Sequence, residues 1–238
     1  HAPAAPTLST MSMRPDLQAR LARQLQIHQR LFDPIHEPRN QLHWLKPLQQ
    51  WQAQRLQRSF ARFLHDPKRH AAANFFLTDV YGERDFSQRD ADIAKVIPKM
   101  QRLLPIELLV TIADGIELAA LSHALDLHMA AALQGIATVG APLDTNDYSQ
   151  AYRAVGHRRL RAHQIALISG VGQGLAAALA TPGVGMLLRV SSLPARAAGL
   201  GELQSFLERG FAAFAALGDA RAFLMDIQYS ETRVMQQL

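Results

Sequence analysis

The chain has 238 residues, 48% hydrophobic and 19% charged, a length and composition that suit a soluble globular protein with a sizeable core. It contains no cysteine, which excludes disulfides, thiolate metal sites, iron–sulfur clusters and a cysteine nucleophile and fits a reducing, cytoplasmic setting. The net charge of +5 is concentrated before residue 70, where eleven Lys/Arg face four acids, but these are dispersed among Gln and Leu as on a solvated helix face, so nucleic acid is not expected as a partner.

Residues 1–13 begin His-Ala-Pro-Ala-Ala-Pro and read as a flexible tail or processing remnant, with 14–238 forming one helical domain. Asp16 to Leu31 carries Leu17, Leu21, Leu25 and Leu31 near helical spacing. After the proline-bracketed loop at Asp33-Pro34 and Glu37-Pro38, a long helix is predicted from Leu45 to Leu64. Its Trp44, Trp51, Phe60 and Phe63 alternate with Arg55, Arg58 and Arg62, which suits either a core-covering amphipathic helix or an interface. Asp66-Pro67 is expected to cap a third helix leading to Phe75, Phe76 and Val80 and ending at Gly82. Ser87 with Asp90 has capping-box form and opens a fourth, through Ile93 to Met100.

Pro105 to Leu133 is apolar nearly all round and is placed at the centre of the domain. A linker over 135–146 leads to a helix predicted from Asp147 to about Leu179, stopped by Pro182-Gly183. A short helix to Val190 is expected to break at Ser191–Pro194, and Glu202–Leu217 and Asp219–Gln237 form a last pair with Asp219 as N-cap. No stretch shows strand-like alternation, so the fold class is all-α, a bundle of about eight or nine helices. The longest uncharged run, Ala162–Leu188, holds five glycines and Pro182, and is read as core rather than as a membrane span.

Phe75-Phe76, Tyr81-Gly82, Asp85-Phe86 and Arg89-Asp90-Ala91-Asp92, followed by Pro98, resemble the signature of an uncharacterised family of bacterial helical proteins. Tyr152-Arg153, Gln164-Ile165 and Phe206-Leu207-Glu208-Arg209-Gly210-Phe211 extend the likeness over most of the chain after residue 40. The resemblance implies a bacterial, soluble, helical protein and carries no catalytic residue across.

Chemistry is weighed against that background. The helix-borne Glu-x-x-His of di-iron bundles is absent; His123-x-x-Asp126 is its reverse and suits a core hydrogen bond. Asp114, Glu117 and His128 share a stripe, but the last two are roughly 16 Å apart along the axis, too far for one ion. Ser169, Ser191 and Ser192 lack a nucleophile elbow, and Gly170, Gly172 and Gly174 lack a phosphate-loop context and read as room for a close helix neighbour. His28, His157 and His163 are histidines that a haem could use as axial ligand.

The expected function is non-catalytic binding of a partner protein or a small acidic ligand, without cofactor or metal, and with homodimerisation as a further expectation. The expected site joins Tyr81, Asp85, Arg89 and Asp90 of the charged turn to Arg153, His157 and Arg159 opposite, with Arg153 or Arg159 pairing Asp85 or Asp90. The competing reading is a bundle enzyme or a haem- or metal-binding protein, with a pocket between the central and glycine-rich helices.

Overall fold

The computed structural model describes residues 8–80, 91–96 and 106–238, and these residues form helices, turns and loops with no strand among them. Chain order is α1 (Leu8–Phe32), a 3₁₀ turn (Pro38–Gln41), α2 (Leu45–Ser59), α3 (Ala61–Leu64) and α4 (His70–Phe75), which widens into a π-helix (Phe76–Val80). Then follow α5 (91–96), α6 (Ile106–Leu133), α7 (Thr145–Val155), α8 (Arg158–Ala180), α9 (Val184–Ala197), α10 (Gly201–Ala215) and α11 (Ala220–Gln237).

The organising element is α6. It is apolar nearly all round, so it can be covered only by neighbours on several sides. Leu17 and Leu21 of α1 pack on Leu109, Ala113 and Ile116 of its first half. Trp44, Leu45 and Leu48 at the start of α2, with Tyr148 and Ala151 of α7, pack on Leu127, Met129, Ala130 and Leu133 of its second. A separate aromatic core lies where α2, α3 and α4 meet α8, α10 and α11, built from Phe60, Phe63, Phe75, Phe76, Phe214 and Phe223. Length and composition alone would let α6 cross a membrane, with mean hydropathy 1.5 in its most apolar stretch, but eleven of its residues are buried by the surrounding helices. The uncharged run Ala162–Leu188 is divided between α8 and α9, which meet at a 90° bend.

Several expected boundaries move, each for a local reason. The first helix begins at Leu8 instead of Asp16. The second gives way at Phe60, whose ring is buried in the aromatic core as the chain turns into α3. Asp66 does not cap α4: its carboxylate accepts from the Lys68 amide at 2.9 Å and closes a turn ahead of His70. The helix expected from Asp147 to Leu179 is two helices, because Gly156 (φ 66°) ends α7 and His157 (φ 56°) follows in the left-handed region. Ser191–Pro194 does not break α9, which runs to Ala197 with Pro194 inside. The carbonyl that Pro194 leaves without a helical donor belongs to Val190, on the exposed side where water can serve it. Asp219 caps α11 as expected, accepting from the Ala222 amide at 2.9 Å.

The three glycines of α8 divide by what stands opposite. A Cβ on Gly172 would lie 2.3 Å from Leu224 Cδ2 of α11, and one on Gly174 would lie 2.1 Å from Thr111 Oγ1 of α6. Gly170 faces open space. Close approach therefore explains two of the three.

Candidate functional site

Of the expected site, Tyr81, Asp85, Arg89 and Asp90 lie outside the described residues, as do Gly82, Phe86 and Ser87. The other half is exposed at the α7–α8 elbow. Arg153 donates to the Leu238 carbonyl at 3.4 Å, His157 lies against His128 with ring centroids 5.2 Å apart, and Arg159 faces solvent. The described end of the charged stretch turns elsewhere: Asp79, 4% exposed on the π-helix, receives the Arg209 guanidinium of α10 at 2.7 Å. The Thr78 hydroxyl, 3.0 Å from the Asn74 carbonyl, bonds back along the chain where the helix widens.

Behind the elbow lies a half-buried polar hub that sequence reading did not assemble. Arg55 of α2 pairs with Glu231 of α11 at 3.0 Å, and Gln52 of α2 donates to Asp126 of α6 at 3.1 Å. Arg161 of α8, only 7% exposed, lays its guanidinium over the Tyr152 ring at 3.7 Å and donates from Nε to the Gly156 carbonyl at 3.2 Å. It thereby clamps the elbow. Trp51 stacks on Tyr148 at 4.0 Å, closing the hub against the core. Burial pushes the Asp126 carboxyl up to about 6, against the pull of Gln52, Gln49 and Arg161. Burial raises the Tyr148 and Tyr152 phenols too, against the pull of Arg55 and Arg161. The Arg55 guanidinium resists the desolvation that opposes its charge because Glu231 stands beside it. These groups fix five helices around one point. Two surface clefts, one lined by Gln173, Ala176, Arg221 and Leu224 and the other by residues of α3 and α11, lie elsewhere.

His123 and Asp126 do not bond each other. His123 Nε2 meets Asn40 Oδ1 at 2.6 Å, and its ring stacks on Phe32 at 4.0 Å, with His28 beyond at 4.4 Å. Burial holds the His123 imidazole down to about 4, neutral at physiological pH. Asp114 and Glu117 share Arg20 of α1, each at 2.7 Å, and His163 lies 2.7 Å from Glu117. The His163 hydrogen bond and Arg20 keep the Glu117 carboxyl below its ordinary range. Among the described residues no three His, Asp or Glu side chains converge as a metal site. Ser169 and Ser191 serve neighbours: Gln173 donates to the first at 3.2 Å, and the second donates to the Leu188 carbonyl at 3.1 Å.

The aromatic second helix is core. Trp44, Phe60 and Phe63 are buried, as the core-covering alternative has it. A different face is free. On α9, Met186, Val190 and Leu193 are 65%, 65% and 81% exposed and follow one another at helical spacing on the side away from α10. α10 takes the other side, with the Gly185 backbone against the Phe211 ring and Gln204 Nε2 donating to the Leu188 carbonyl at 2.7 Å. Sequence reading missed this face because a break expected at Ser191 cuts the spacing in half.

A family model described as Domain of unknown function (DUF8198) matches residues 31–238. The chain belongs to that family. The DUF8198 span takes in the hub, the α7–α8 elbow and α9, while Arg20 of α1 precedes it. No curated protein and no solved structure matches the chain.

Proposed function

We propose that the chain is a non-catalytic binding protein that recognises a partner protein through the outer face of α9. The observation that carries this reading is the row Met186, Val190 and Leu193, three large apolar side chains exposed on one helix face. Exposed apolar residues scattered singly are ordinary, whereas a helical row of them is the anchor pattern of helix-in-groove recognition. Covering each would contribute on the order of 1–2 kcal/mol.

Charge specifies the occupant. α9 has no Asp or Glu over Val184–Ala197; its Arg196 pairs with Glu208 of α10 at 3.3 Å, which leaves Arg189 beside the apolar row, so the complementary surface is an amphipathic helix whose apolar stripe is flanked by acids. A second copy docking the same way would set arginine against arginine. One face of a single helix roughly 21 Å long and ~10 Å wide covers far less than the ~800 Å² per side of a standard interface, which fits a transient, regulatory encounter.

The test uses synthetic peptides of α9 length with a leucine stripe, flanked either by Glu or by Lys, titrated by fluorescence anisotropy. The Glu-flanked peptide is expected to bind, and Leu193→Glu or Arg189→Glu to weaken it about tenfold or more without changing the circular dichroism. Equal binding of both peptides, binding of neither, or binding only to anionic vesicles would refute the reading.

A further inference from the structure

We infer that a cleft between α3 and α11 is a binding site for a small molecule carrying a phosphate or carboxylate beside an aromatic ring. The cleft has a volume of about 160 Å³ and is lined by Arg62 of α3 and by Tyr229, Ser230, Arg233, Val234 and Gln237 of α11. Tyr229, Arg233 and Gln237 recur at every fourth position, with Ser230 and Val234 beside them, so one side of α11 presents a phenol, a hydroxyl, a guanidinium and an amide to the same space. The one acid in that stretch, Glu231, points away to Arg55 in the hub. Among the described residues no carboxylate lines the cleft, and neither Arg62 nor Arg233 pairs with one.

Both guanidiniums are positioned already. Arg62 rests over the Phe63 ring at 4.5 Å and donates one Nη2 hydrogen to the Asp226 carbonyl at 3.4 Å, which leaves the rest of its fork open. Arg233 lies 5.9 Å from the Tyr229 ring centroid. Two planar forks beside a serine hydroxyl match the oxygens of a phosphate or carboxylate, which accept paired N–H bonds. Tyr229, 63% exposed with Arg233 over its ring, offers exposed aromatic surface to a flat ligand body, and Val234 an apolar wall. The volume is below the roughly 300 Å³ at the small end of drug-sized pockets, so the headgroup sits inside and the body lies across Tyr229. The site stands apart from the α9 face and does not depend on it.

Calorimetric titration of the full chain with inorganic phosphate, phenyl phosphate and benzoate tests the inference. Phenyl phosphate or benzoate is expected to bind more tightly than inorganic phosphate, and which of the two binds better identifies the headgroup. Arg62→Ala and Arg233→Ala should each weaken the preferred ligand about tenfold or more. Tyr229→Leu should remove the advantage of the ring while leaving inorganic phosphate unchanged. Arg221→Ala, on the same helix but outside the cleft, is the control and should have no effect. An equal loss in that control, unchanged binding in both cleft arginine variants, or no binding of any of the three anions would overturn the assignment. Thermal melts of the variants separate lost binding from lost fold, since Arg62 and Arg233 are exposed.

Discussion

Asp126→Asn is expected to stabilise the protein at neutral pH. The carboxyl sits among Gln52, Gln49, Tyr148 and Arg161, and burial lifts it from 3.8 to about 6. An acid whose pKa rises on folding holds its proton more tightly in the native state. Its cost is therefore nil at low pH, grows as pH climbs from the unfolded value through the native one, and is complete above about 6. The gap corresponds to about 3 kcal/mol. Asp126 keeps some contact with solvent, and an asparagine amide must find an acceptor, so the expected gain is about 1–2 kcal/mol at pH ~7.5. For a chain of this size that raises Tm by roughly 2–8 °C. Gln52 can go on donating to the amide oxygen, so the hub should keep its geometry. Urea unfolding followed by circular dichroism at pH ~7.5 and ~4 is the assay, with the gain present at the first and absent at the second. A loss of stability at both would refute the reasoning and show that the carboxylate is held by attraction and not penalised by burial.

His123 acts with the opposite sign. Its imidazole is held down to about 4 from 6.5, so its contribution is complete above 6.5 and is lost as pH falls toward 4. The Asp126 slope partly cancels it in the parent chain, and Asp126→Asn should therefore steepen acid unfolding over that window, while His123→Gln flattens it; an unchanged profile in both would count against the two assignments. The glycines of α8 offer an internally controlled series, read by the same urea titrations. Gly170→Ala faces open space and should gain about 0.5–1 kcal/mol of helix propensity. Gly174→Ala must displace Thr111, a stiff side chain on α6, and should lose about 1–3 kcal/mol; equal effects at the two positions would contradict the packing described.

The amino-acid sequence by itself determined the local features. The all-helical class, the central place of α6, the Asp219 cap and the burial of Phe75 and Phe76 follow from spacing, caps and helix-breaking residues, which act within a few positions of themselves. The same local logic could have divided α7 from α8 at Gly156. Tertiary structure alone decided the partnerships. Arg55 meets Glu231 across 176 positions and Arg209 meets Asp79 across 130, and nothing in either neighbourhood marks its partner among the twenty acids of the chain. Likewise only packing distinguishes Gly170 from Gly174, or leaves Met186, Val190 and Leu193 outside while equally apolar side chains of α6 go inside. A side chain's propensity is its own, whereas its burial and its ion-pair partner belong to whichever helices close around it.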